Sequence, residues 1–357
     1  MNNLGYEIDF ISVDSGKKNG DAITIRIKDN EQTTIYVIDA GTKITGQKVV
    51  DHIKKFYGTD KVDYLINTHP DLDHISGLTI VMEQLDVKQV WMHKPWEHAH
   101  EIIDDILDNR VTINSLTNRL QNSLRVAKEI EEMANKKGIK VIEPFQGSQI
   151  GHFFVLSPHP DWYTELIKGF NNMPESDRKT FMGETIRKFA DTIKTVFENW
   201  NIETLSEEGV TSDKNESSVV LFGRLPNDFD VLFTADAGLL SLNNAYDYAF
   251  SKGLDLKICK FIQMPHHGSR RNVSPSLLDK ILGTKLPENS NPTKTAFVNT
   301  SKYCPEHPKK SVSNAFKRRG VNVIATNGQT ICNHWGYPTR AGWVSVTPLP
   351  FFSQVEE

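Results

Sequence analysis

Cysteine is scarce: Cys259, Cys304 and Cys332 are the three in 357 residues. They stand far apart and form no CxxC pair, which argues against a disulfide framework or a cysteine-rich zinc site. The plain expectation is small buried hydrophobes in a reducing compartment. Long apolar runs are missing too; none approaches the ~18–20 residues that span a bilayer, so no membrane contact is expected. The opening residues Met1–Glu7 lack the charged and apolar regions of a secretory signal, which reads as a cytoplasmic chain. No sign of charge dominates: 41 Lys+Arg against 45 Asp+Glu leave a net −4. That argues against a broadly basic nucleic-acid coat protein and leaves room for a local basic patch. With 38% hydrophobic and 24% charged residues the composition is that of a globular chain, not a disordered one. Histidine, by contrast, is well represented, with 12 copies.

Alternation and apolar runs predict strands at 6–13, 22–28, 35–40, 62–67, 89–93, 140–142, 153–156, 218–224, 230–235, 260–264, 295–299 and 321–325. Residues 35–40 are apolar on both faces, as in a strand covered on each side. Residues 49–57 read as a helix stopped by Gly58, and 312–319 as a short basic helix. Residues 96–138 carry apolar positions at helical spacing (Ile102, Ile106, Leu116, Leu120, Leu124, Ile130). Residues 161–213 read as a second helical stretch, richer in acidic than basic side chains. No internal repeat or low-complexity linker interrupts the chain. The expectation is one domain over 1–357 with two helical insertions, at about 96–138 and 161–213, which offer a surface for a protein partner.

Three strand ends carry groups that bind metals. The strand at 62–67 runs into Thr68-His69-Pro70-Asp71-Leu72-Asp73-His74, four candidate ligands within six residues. His69 and Asp71 are two apart and can turn to one side; Asp73 and His74 are adjacent and diverge toward a second ion. The strand at 230–235 ends in Asp236, a carboxylate that is costly in an apolar setting unless paired, as it would be by bridging two ions. The strand at 260–264 leads to Pro265-His266-His267-Gly268-Ser269. Adjacent His266 and His267 are expected to point apart, which frees His266 for substrate. Elsewhere, His52, His93, His98, His100, His152 and His334 have no partner nearby in sequence and read as surface or satisfied core residues.

In these motifs the chain resembles the metallo-β-lactamase fold superfamily, and within it the hydrolase domain of ComEC-type competence proteins and phosphorylcholine esterases. The matching segments are Asn19-Gly20-Asp21, Val37-Ile38-Asp39-Ala40-Gly41, His69-x-Asp71-x-Asp73-His74, Asn215-Glu216-Ser217-Ser218, Thr234-Ala235-Asp236, His266-His267-Gly268-Ser269 and His307-Pro308. The resemblance implies an α/β fold, a four-layer αβ/βα sandwich, with two divalent metal ions at one edge. It implies His69 and Asp71 on the first ion, Asp73, His74 and His267 on the second, and Asp236 between them. Asp73 and His266 would take part in catalysis; His266, Ser269 and His307 would face substrate; Asp21, Asp39 and Asn215 would support the ligands from behind. There are two departures. Asp71 stands where a histidine is more usual, and its oxygen makes Mn²⁺ a competitor of Zn²⁺. A further histidine before the Asp236 strand is missing, with Asn215–Ser218 in its place and His159 as a distant stand-in.

Two cations about 3.5–4 Å apart would generate a bridging hydroxide and clamp a substrate's oxygens, so the expected reaction is hydrolysis without a serine or cysteine nucleophile. Six basic residues against Glu306 between positions 302 and 319, with Arg270 and Arg271 after the His-His-Gly-Ser turn, favour a phosphodiester or another polyanion. A phosphodiesterase, most specifically a nuclease, is the leading expectation. The alternatives are a small-molecule phosphodiester or carboxylic ester hydrolase, or a metal-stabilised subunit of a larger assembly.

Overall fold

A computed structural model describes residues 4–13, 19–176 and 195–356. The chain lays down β1 (Gly5–Phe10), β2 (Ala22–Asp29), β3 (Gln32–Ala40), β4 (Lys61–Ile66), β5 (Asp86–Trp91) and β6 (Lys140–Ile142). Next come β7 (Gln149–Ile150), β8 (Phe153–Ser157), a short β9 (Thr195–Phe197), β10 (Val220–Leu225) and β11 (Phe229–Phe233). Then follow β12 (Phe261–Gln263), β13 (Lys294–Val298), β14 (Val321–Ala325), β15 (Ile331–Trp335) and β16 (Gln354–Glu356). Two seven-stranded sheets result, ordered β15-β1-β2-β3-β4-β5-β6 and β14-β13-β12-β11-β10-β8-β7. Strands β3 to β6 are mutually parallel, as are β11 to β14; the remaining pairings in the two sheets are antiparallel.

The period of two along each strand sorts side chains between layers. In β3, Tyr36 and Ile38 enter the core between the sheets, while Ile35 and Val37 pack outward. Phe10, Phe153, Phe233, Phe261 and Phe297 fill the sandwich interior, each essentially without exposure. Each buried phenyl contributes about 1.5–3 kcal/mol relative to an exposed one. The outward face of the first sheet is covered by α1 (Lys43–His52), α2 (Leu72–Ile75), α3 (Leu78–Gln84), α4 (Ala99–Ile102), α5 (Ile113–Ser123), α6 (Arg125–Lys136) and α7 (Pro160–Ile167). On the second sheet, beyond the one-turn α8 (Asp213–Glu216), α9 (Leu239–Ser251), α10 (Pro275–Ile281) and α11 (Lys310–Arg318) do the same. The architecture is the expected αβ/βα sandwich. Among the described residues, no helix is long and apolar enough to cross a membrane.

The stretch 161–213 meets its helical expectation in α7, up to Ile167, and departs from it over 195–212. Residues 177–194 lie outside the described residues; beyond them β9 pairs antiparallel with β16, and an irregular run leads to α8. The reason lies in α11. Arg318, fully buried, donates to the Glu198 carboxylate at 3.0 Å and to the carbonyls of Asn199, Trp200 and Ile202. Carbonyls spent on an arginine are not available to a helix ladder.

Candidate metal centre

The carboxyl ends of β3 and β4 in one sheet meet those of β11 and β12 in the other. Each strand hands its polar residues to this edge, where the ladder ends and backbone turns are free to aim them. Gly20 permits the close approach: a Cβ there would collide with the carbonyl oxygen of Asp73.

Asp236 sits at the centre. Its Oδ2 lies 3.8 Å from His69 Nε2, 3.4 Å from His74 Nε2 and 3.5 Å from His266 Nε2, and its Oδ1 is 3.8 Å from His267 Nε2. These separations exceed hydrogen-bond range. They match the roughly 3.4 Å between two donors that each sit 2.0–2.2 Å from one tetrahedral ion. His69 Nε2, His74 Nε2 and Asp236 Oδ1 are buried with no hydrogen-bond partner. Buried polar atoms are seldom left so, and the donor set fits divalent cations. Among the described residues, two groups bring three donors within 4.8 Å of one another: Asp39, His69 and His74, and His74, Asp236 and His267.

Asp39 works from behind. Its carboxylate accepts from Thr68 N at 2.9 Å, Thr68 Oγ1 at 2.5 Å and Asn67 Nδ2 at 3.2 Å, and faces His74 Nδ1 at 2.9 Å. A proton is thereby held on Nδ1, which leaves Nε2 as the atom that turns to the centre. Asp21 accepts from Gln263 Nε2 at 2.8 Å and lies 3.8 Å from His267 Nδ1.

Electrostatics follow from burial and neighbours. Burial works to raise the Asp236 pKa, but the imidazoles of His266, His74 and His267 hold it well below the usual carboxylate range. Burial pushes His267 down to about 3, helped by His74 and His266. His69 is likewise lowered by burial and by His74. His74 goes the other way: burial works to lower it, but the Asp236 and Asp39 carboxylates hold it well above the usual imidazole range. An ion there takes the place of its Nε2 proton, while the lowered His69 and His267 favour the neutral form a cation requires. Burial, opposed by His74 and reinforced by Asp236, Asp39 and Asp73, raises the Asp21 carboxyl.

Other sites differ from the sequence reading. His266 and His267 do not diverge: both adopt left-handed backbone (φ 45° and 54°), which swings both rings toward Asp236. His266 keeps a side-chain exposure of 30%, against 0–6% for the other three. Asp71 is 3.9 Å from His69 Nε2 but belongs to neither three-donor group, and nor does the half-buried Asp73. His159 is exposed and caps α7 by accepting from Asp161 N, outside both groups. His307 is half-buried, and burial with the adjacent Lys309 lowers it to about 4. Ser269 is half-buried, its Oγ accepting from Arg271 N. Asn215 Nδ2 donates to Thr211 Oγ1 and lies 3.3 Å from His266 Nδ1.

The basic segment is also less exposed than its composition suggested. Arg318 is paired internally, Arg319 pairs with Glu203 and Asp279, and Lys317 donates to the carbonyl of Leu349. Four contributors escaped the sequence reading. Thr68 and Gln263 hold carboxylates, Asn272 bonds the carbonyls of Asp236 and Ala237 and meets His266 Nδ1 at 2.9 Å, and Lys214 lies 3.3 Å from Asp71. None sits in a metal-ligand spacing, so only spatial proximity reveals them.

No curated protein matches the sequence. Residues 19–169 match the family model of the metallo-beta-lactamase superfamily. Similar solved structures include unliganded yeast PDE1, at 10% identity, covering 92% of this chain and 99% of that one, with a TM-score of 0.43. The metallo-beta-lactamase fold protein YhfI from Bacillus subtilis is 10% identical over 92% of this chain and 99% of its own, with a TM-score of 0.42. A diphosphatase from the PhnP family is 10% identical over 91% and 97%, with a TM-score of 0.38. The chain thus carries a metallo-beta-lactamase superfamily match over residues 19–169 and has that superfamily's sandwich fold.

Proposed function

We propose that the chain is a metal-dependent hydrolase of phosphoric diesters. The observation that carries this reading is the ring of four imidazoles around the buried Asp236 carboxylate, in which His69 Nε2, His74 Nε2 and Asp236 Oδ1 have no hydrogen-bond partner. Divalent cations, Zn²⁺ or Mn²⁺, when bound there supply an acidified water and neutralise charge on the scissile phosphoryl group. The chain's own residues do the rest. His69, His74, Asp236 and His267 would hold the cations, with Asp71 and Asp73 at the rim. Asp39 fixes the His74 tautomer through Nδ1. Asn272, its amide nitrogen bonded to two carbonyls, turns its oxygen to His266 Nδ1 and so fixes the proton there. His266 Nε2, the most exposed of the four, is then placed to hold or deliver a proton at the leaving oxygen.

A compact diester is favoured over a long polynucleotide. Lys317 donates to a backbone carbonyl, and Arg318 and Arg319 spend their charge inside the protein; in the same segment Lys309 is half-buried and Lys310 exposed. The test is a substrate panel on chain stripped of metal and reloaded with Zn²⁺ or Mn²⁺. It contains bis(p-nitrophenyl) phosphate, a phosphorylcholine ester, a carboxylic ester, and single- and double-stranded DNA. Metal-dependent cleavage of the aryl diester, lost in His74→Ala and Asp236→Asn, is expected. Diester cleavage that survives both substitutions, or none at all with metal demonstrably bound, refutes the reading.

A further inference from the structure

The two halves of the centre are unequal. His74, Asp236 and His267 bring three buried donors together. On the other side, His69 Nε2 lies 3.9 Å from Asp71 Oδ2 and 3.8 Å from Asp236 Oδ2, yet these three do not form a mutual cluster. The second three-donor group, Asp39 with His69 and His74, is not a cradle of its own, because the Asp39 carboxylate is committed to Thr68 and to His74 Nδ1. What stands at the weaker half is a cation of the chain itself. Lys214 Nζ lies 3.3 Å from Asp71 Oδ1, on the oxygen opposite the one that faces His69.

Its position is built into the fold. Ser212 Oγ accepts from Asn215 N to start α8, which carries Lys214. Glu216, at the end of the same turn, is buried and accepts from Ser241 N. Three residues on, Val219 N donates to Thr68 O and ties the segment to the loop that bears His69 and Asp71. The Lys214 side chain is 18% exposed and that of Asp71 34%, so both are partly screened from water. An ammonium there neutralises the Asp71 carboxylate and repels a second dication at short range.

We propose that Lys214 is a built-in monovalent cation for the His69/Asp71 half of the centre. The chain takes one divalent ion at His74, Asp236 and His267, and admits a second only by displacing the ammonium from Asp71. This rests on the metal reading above and makes it asymmetric.

The test is metal stoichiometry and affinity, read by elemental analysis and by calorimetric titration of Zn²⁺ and Mn²⁺ into chelator-stripped chain. Wild type is expected to keep one ion through desalting and to bind a second about tenfold or more weakly. Lys214→Gln is expected to keep two, with the second affinity raised about tenfold, while His267→Ala loses the first. Lys214→Met, equally uncharged, should behave as Lys214→Gln, and thermal unfolding of both checks that they are folded. Two ions of equal affinity in wild type, or a second affinity unchanged in both folded lysine variants, overturn the proposal while leaving the metal reading intact. A wild-type chain that binds no ion overturns both.

Discussion

Replacing Asp39 by asparagine tests whether the centre depends on its buried support. In wild type, Oδ2 faces Thr68 Oγ1 and His74 Nδ1 at 2.5 and 2.9 Å, and Oδ1 faces Thr68 N and Asn67 Nδ2 at 2.9 and 3.2 Å. All four are served by a carboxylate that only accepts. Asparagine keeps one acceptor oxygen. If its nitrogen takes the Oδ2 place, it confronts His74 Nδ1–H, and His74 must move its proton to Nε2, the atom that faces Asp236 at 3.4 Å. If its nitrogen takes the Oδ1 place, it confronts two N–H groups. Each lost bond to a charged acceptor costs about 1.5–3 kcal/mol, and a disturbed support of this kind lowers metal affinity about 10–100-fold. Competition for Zn²⁺ against a fluorescent chelator measures the affinity, with circular dichroism to confirm folding. A folded Asp39→Asn chain with wild-type Zn²⁺ affinity would refute the reasoning, because it would show that the tautomer of His74 is not set by Asp39.

Two further outcomes follow from other buried charges. Arg318→Met leaves Glu198 buried without its cation and several carbonyls without a donor, so chemical denaturation should show a loss of about 3–5 kcal/mol. KM for a diester should not change in the folded variant; a raised KM with unaltered stability would return Arg318 to the substrate face. Glu216 is pushed up from an ordinary 4.5 to about 7, chiefly by burial and against the hydrogen bonds from Ser241. A carboxyl with a raised folded pKa binds its proton more tightly in the folded state. Its contribution is therefore full below about 4.5 and is lost as pH rises through about 7, amounting to about 3 kcal/mol. Glu216→Gln removes that dependence, so its stability advantage over wild type should grow between pH 5 and pH 8. Parallel stability curves for the two proteins would exclude ionisation of Glu216 as the source.

Local patterns were enough for much of the fold. The alternation in residues 22–28 and the two-faced apolar run at 35–40 reflect a period of two that any strand imposes, so β2 and β3 were legible. The ligand-rich loop 69–74 was legible because its donors lie close in the chain. The terminal strands β15 and β16 were not: Ile331-Cys332-Asn333-His334-Trp335 has little alternation, and its pairing with β1 is a contact across nearly the whole chain. The turn at His266 and His267 was misread because extended neighbours point apart, and only the packed edge holds two consecutive residues in left-handed backbone.

Composition counted Arg318 and Arg319 as surface charge, whereas folding buries them against Glu198 and Glu203, residues more than a hundred positions away. The sequence by itself determined which side chains can bind a cation and which strands deliver them, since both depend on residue type and short-range period. Tertiary structure alone decided which oxygen each imidazole faces, that Asp39 sets the proton on His74, and that Lys214 stands on Asp71. Those choices depend on distances between segments that only the closed sandwich brings together.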